Sequence, residues 1–273
     1  MIILQKSYRI FAFLITAVLI VAIIGVIIYY LVKNSEDDGS GGVRIPKGAV
    51  VTNGHNCALI GSSILTKGGS AVDAAIASLF CEGVSMPQSM GLGGGFLMTI
   101  YIKESGTVAT LNARETAPGL ATEDMFDGDG SLSSKGGLAV AVPGELRGYW
   151  EAYKKYGGKL PWSELVQPTI DLCKNGILVT EYLAKLYSSQ QSQLYEDPIL
   201  RETFINPTTN ETYKLNEYVK RPRLAKTLEL IAEQGADVLY NGSLTKDFVA
   251  DIKAKGGIIT EQDMNNYKYV ITR

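Results

Sequence analysis

SMGLGGGFLMTIY, residues 89–101, sets four glycines (Gly91, Gly93, Gly94 and Gly95) directly ahead of an apolar run. A glycine loop that cradles phosphate runs strand, loop, helix, because the anion sits at the helix N-terminus. Here a helical pattern precedes the glycines and a strand pattern follows them. No GxxxxGK[ST] motif occurs elsewhere in the chain, so a nucleotide-binding reading is disfavoured. Glycines placed this way let backbone pack closely on backbone, or let a ligand touch bare main chain. The stretch therefore reads as a tight passage from helix to strand inside an α+β fold.

Upstream, residues 57–83 read as a helical hairpin. Ala58, Ile60, Gly61, Ile64 and Leu65 keep helical spacing, and Gly68-Gly69 is a stop signal. Ser70 then stands as an N-cap, with Asp73 three residues on as a variant capping box. Val72, Ala75, Ile76, Leu79 and Phe80 form the expected core stripe. Cys57 and Cys81 lie equally far from Gly69, so folding the hairpin brings them together. In an oxidising compartment they are expected to form a disulfide, two buried thiols being the alternative. Cys173 is then odd, a buried thiol or a partner in an intermolecular bond.

Downstream, residues 96–103 and 107–115 read as two strands joined by a tight turn. A strand is expected at 49–52 and another at 138–142. Helices are expected from near Pro143 to Tyr156 and over 162–175, 180–195, 222–234 and 244–254. A turn leading into a strand closes the chain.

The 273 residues are 46% apolar and 20% charged with a net charge of −2, a globular composition with no electrostatic signature for nucleic acid. The N-terminus departs from this average. Residues 10–32 carry no charge, and a helix of that length crosses a hydrocarbon core of about 30 Å. Lys6 and Arg9 precede the run, while Glu36, Asp37 and Asp38 follow it. The positive-inside rule then leaves residues 1–9 in the cytoplasm. No small-x-small cleavage site follows the run, which favours an uncleaved signal anchor over a signal peptide. Residues 33–42 read as a stalk and 43–273 as the folded part. The expected placement is type II and single-pass in the plasma membrane, with the domain outside. The sequons at Asn210 and Asn241 suit that topology.

The residues restrict the chemistry. One histidine, His55, rules out a zinc site built from several histidines, and no GxSxG elbow is present. Neither a metal nor a cofactor is called for. Arg114, at the end of the second strand in LNARETAP, is the most suggestive charge, because a guanidinium fork suits a carboxylate. Residue chemistry alone leaves a structural ion pair open as its role.

The series KGGSAVDAAIASLFCEGV, MGLGGGFLMTIY, LNARETAP, GLAVAVPGELRGY and GGKLPW resembles the large-subunit region of the gamma-glutamyltransferases, or glutathione hydrolases. The resemblance implies an N-terminal nucleophile hydrolase fold, an αββα sandwich, here incomplete and preceded by one transmembrane helix. It implies that Arg114 pairs with the α-carboxylate of a γ-glutamyl substrate, and that Cys57 and Cys81 match a family disulfide. Glutathione and other γ-glutamyl compounds are then the expected ligands. The family's nucleophilic threonine stands in a Thr-Thr-His-type motif of the small subunit, and no such motif occurs in these residues. These residues alone are therefore expected to be inactive, lacking the small subunit as partner. The alternatives are a catalytically dead, membrane-anchored binding or decoy relative, or another amidase of the same superfamily.

Overall fold

The structure is a computed structural model that describes residues 22–30 and 48–272. It divides into two units, Met1–Lys47 and Gly48–Arg273. In the first, residues 22–30 are helical with exposed apolar side chains. The expected cytoplasmic tail, most of the 10–32 span and the 33–42 stalk lie outside the described residues. Among those described, no helix is long and apolar enough to cross a membrane.

The second unit opens with helix α1 (Cys57–Thr66) and helix α2 (Ala71–Ser85). The Ser70 hydroxyl accepts from the Asp73 N–H at 3.0 Å, and the Asp73 carboxylate accepts from the Ser70 N–H at 2.8 Å, closing the expected capping box. Cys57 and Cys81 are disulfide-bonded with their Cα atoms 5.4 Å apart. The loop they close is worth about 3 kcal/mol in a chain-entropy account. Cys173 is a free, buried thiol, and burial pushes its pKa to about 11.

Asp73 does more than cap. Fully buried, it also accepts from the N–H groups of Gly158 at 2.8 Å and Lys159 at 3.1 Å, tying α2 to a distant turn. Asp73→Ala leaves three backbone donors without an acceptor and is expected to cost about 2 kcal/mol. Urea unfolding checks this. A loss within measurement error would show that water replaces the carboxylate.

Strands β1 (Phe96–Ile102) and β2 (Thr107–Ala113) pair antiparallel, Phe96 opposite Ala113, and β3 (Val270–Thr272) adds to β2 with Thr272 opposite Thr110. One face of this sheet, with Met98, Leu111 and Ala113, joins the core beneath helix α3 (Glu145–Tyr156), and Ala109 on that face is buried too. On the other face Leu97 and Tyr101 are exposed. Helix α4 (Trp162–Asn175) and helix α5 (Pro222–Gln234) complete the main core around Phe80, Tyr149 and Trp162, whose indole N–H reaches the Ile231 carbonyl at 2.9 Å. A smaller core gathers Leu183, Tyr187, Phe204 and Val219. The architecture is mixed α and β. The described residues form one three-stranded sheet and two two-stranded ribbons.

Four expectations need correction. The closing turn is instead a short helix, Glu261–Asn266, capped by Thr260 ahead of the last strand. Residues 49–52 form no ladder, and Val51 is 93% exposed. Residues 138–142 are not a strand: Gly137–Ala139 is a 3-10 turn held by the Lys255 carbonyl, and only Val142 bridges to Thr116. The 180–195 helix is two, Glu181–Ser189 and Gln191–Glu196, with no proline or glycine at the break. Helix α2 also buries more than its expected stripe, since Ala74, Ala77 and Val84 are covered. It lies between α1, α3 and α4, and so has little solvent face.

Candidate functional site

Arg114 follows β2 directly, and its side chain is 56% exposed. Four contacts fix it. Its N–H donates to the Asn112 side-chain carbonyl at 3.0 Å, and its own carbonyl accepts from the Tyr267 hydroxyl at 2.8 Å. Nη1 donates to the Gly95 carbonyl at 2.9 Å, and Nη2 pairs with Glu115 at 3.1 Å. Two contacts hold the main chain and two hold the guanidinium. The fork has five N–H donors, so capacity remains toward solvent.

The glycines lie behind this arginine. Gly94 N–H closes a turn onto the Gly91 carbonyl at 2.8 Å. Gly95 packs against the end of β2 so closely that a Cβ would stand 2.5 Å from the Ala113 carbonyl oxygen and 2.8 Å from Arg114 Cα. Only a residue without a side chain fits there. The stretch 89–101 is thus the expected helix-to-strand passage, and its last glycine also touches the arginine.

Two acids border the turn. Glu115 is partly exposed beside the guanidinium. Glu145, at the start of α3, is 2% exposed, and burial above all raises its carboxyl to about 7, with Glu115 adding to the rise. The hydrogen bond donated by the Tyr149 hydroxyl opposes the rise most, followed by a Gly91 backbone hydrogen bond and Arg114. Glu145 and Arg221 also line a cavity of about 280 Å³ walled by Leu79, Phe80, Leu92 and Leu228. Beneath the site, Tyr267 is raised to about 12 by burial and by Glu115.

The arrangement is an exposed guanidinium set on a rigid corner. It can take a carboxylate edge-on, and it presents no nucleophile of its own. His55 lies in an exposed turn outside the site, and no group of metal ligands occurs among the described residues. Asn210 and Asn241 are exposed, in a left-handed turn and at a helix end respectively. Sequence reasoning singled out Arg114 and the glycines but not Glu145 or Tyr267. Nothing local in PGELRGY or NNYKYV marks those two as neighbours of the arginine.

The sequence profile of the gamma-glutamyltranspeptidase family matches residues 57–273. The chain belongs to the gamma-glutamyltranspeptidase family. It is 45% identical over 245 residues to Scoloptoxin SSD14 of Scolopendra dehaani, covering 90% of this chain and 42% of that protein. To Glutathione hydrolase 3 of Arabidopsis thaliana it is 40% identical over 230 residues, covering 84% and 36%. The chain therefore spans about two-fifths of the length of these curated relatives. The gamma-glutamyltranspeptidase of Helicobacter pylori superposes with a TM-score of 0.79 at 30% identity, over 84% of this chain and 66% of that one. Membership in the family carries the N-terminal nucleophile hydrolase fold with it. It also places the arginine corner in the part of the chain that matches.

Proposed function

We propose that these residues form the γ-glutamyl-recognising part of a gamma-glutamyltransferase, or glutathione hydrolase, with Arg114 receiving the substrate's α-carboxylate. The observation that carries this reading is the guanidinium itself, pinned at 2.9 Å and 3.1 Å on its inner side with donors left facing solvent. The completed protein would cleave the γ-glutamyl amide of glutathione and its conjugates, and pass the acyl group to water or to an amino acid or dipeptide. These 273 residues hold no Thr-Thr-His-type motif. In this reading the nucleophile comes from a small subunit outside them, and these residues alone bind without catalysing.

The placement proposed is on the outer side of the plasma membrane, anchored by residues 10–32. The uncharged run and its flanking charges support it, as do the disulfide and two exposed sequons at Asn210 and Asn241. Binding of glutathione by the full chain tests the recognition step. A glutathione analogue lacking only the glutamyl α-carboxylate is expected to bind at least about 30-fold more weakly, since it loses a charge-assisted pair. Equal affinities would remove Arg114 from the role assigned to it.

A further inference from the structure

Glu145 grips the glycine turn with both its main chain and its side chain. Its backbone N–H, together with that of Gly144, donates to the Gly94 carbonyl at 3.0 and 2.9 Å. Its carboxyl takes a backbone hydrogen bond from Gly91 and another from the Tyr149 hydroxyl. The far end of the same turn is Gly95, whose carbonyl holds Arg114 Nη1. A short, continuous path thus runs from a buried acid to the exposed guanidinium. The two carboxylates also flank the turn itself: a Cβ on Gly94 would lie 3.3 Å from Glu145 and 3.6 Å from Glu115.

We propose that Glu145 is a positioning residue for Arg114, acting through the Gly91–Gly95 turn. Its use in recognition rests on the carboxylate-binding reading above, but the coupling is a property of the folded chain and can be measured without ligand. The groups facing Glu145 are Tyr149 on its own helix, Arg114 and Glu115 beyond β2, and Tyr240. Glu82 on α2 acts on Tyr149, and Arg221 shares the cavity wall. An ionised Glu145 accepts from both Gly91 and Tyr149 and adds a negative charge beside Arg114. A protonated one must give up part of that acceptance. Because burial places the change at about 7, the turn and the arginine pass between two states near neutrality.

The test is a pH titration of the full chain in detergent micelles, selectively ¹⁵N-labelled at glycine and arginine. The Gly91, Gly94 and Gly95 amides and the Arg114 Nε–H are expected to shift together with a common midpoint near 7. Glu145→Gln keeps the shape and an acceptor for Gly91, so its spectrum should otherwise match the wild type while the shared transition disappears. Resonances that stay flat between about pH 5.5 and 8.5 in the wild type would overturn the proposal, as would an unchanged transition in Glu145→Gln. Adding glutathione to the same sample separates the two ideas. An Arg114 resonance that titrates with Glu145 yet ignores glutathione would sink the recognition reading and leave the coupling standing.

Discussion

Gly144→Ala is expected to destabilise the protein by roughly 3 kcal/mol or more. A Cβ at this position would stand 2.0 Å from the Tyr267 hydroxyl oxygen and 2.3 Å from the Ala113 carbonyl oxygen. Real contacts of this kind do not fall below about 3 Å, so something must move. The glycine cannot retreat, because its N–H is bonded to the Gly94 carbonyl and its carbonyl to the Gly148 N–H, both at 2.9 Å. Tyr267 cannot swing away cheaply either, since its hydroxyl holds the Arg114 carbonyl. Thermal unfolding should fall by roughly 6–12 °C for a domain of this size. Adding Tyr267→Phe removes only the hydroxyl clash and leaves those with the ring Cζ at 2.6 Å and with the Ala113 carbonyl, so the double variant should recover little. Full recovery would show that the tyrosine alone, and not the end of β2, defines the corner.

Arg114→Ala is expected to weaken glutathione binding by roughly 2–3 kcal/mol, or about 30- to 150-fold, while the fold survives. The inner contacts it removes are an exposed ion pair with Glu115 and one hydrogen bond to a carbonyl. Exposed pairs of this kind contribute little to stability, so the unfolding midpoint should shift only slightly. Binding loses more, because a bidentate carboxylate contact disappears and Glu115 is left as an unmatched negative charge beside the ligand. Arg114→Lys should recover only part of the affinity, since an ammonium keeps the charge but not the fork. Calorimetric titration at fixed pH measures all three proteins. A lysine variant equal to the wild type would mean that charge alone is recognised.

Features with local causes could be read from the sequence. Ser70 and Asp73 announce a helix start by their spacing, and the cap is present. Cys57 and Cys81 sit symmetrically about Gly69, and they are bonded. Arg114 stands at a strand end, as the pattern of LNARETAP requires. What could not be read depends on contacts between distant segments. The alternation at 138–142 looks like a strand, but Gly137 docks on the Lys255 carbonyl and the segment turns instead. Tyr267 reaches Arg114 across 153 residues, and no periodicity encodes that approach. Glu145 reads as an ordinary acid in the first turn of a helix. Its raised carboxyl comes from burial in the folded chain, with Glu115 adding to the rise.

In the proposed function the Arg114 fork meets a γ-glutamyl α-carboxylate. The most direct measurement of this contact is a double cycle: wild type and Arg114→Ala, each titrated with glutathione and with the analogue lacking that carboxylate. In the wild type, glutathione should be favoured by at least about 30-fold, and in Arg114→Ala the ratio should collapse to near unity, because each partner is worth little without the other. A ratio that survives the loss of Arg114 would contradict the role proposed for it and place carboxylate recognition elsewhere in the protein.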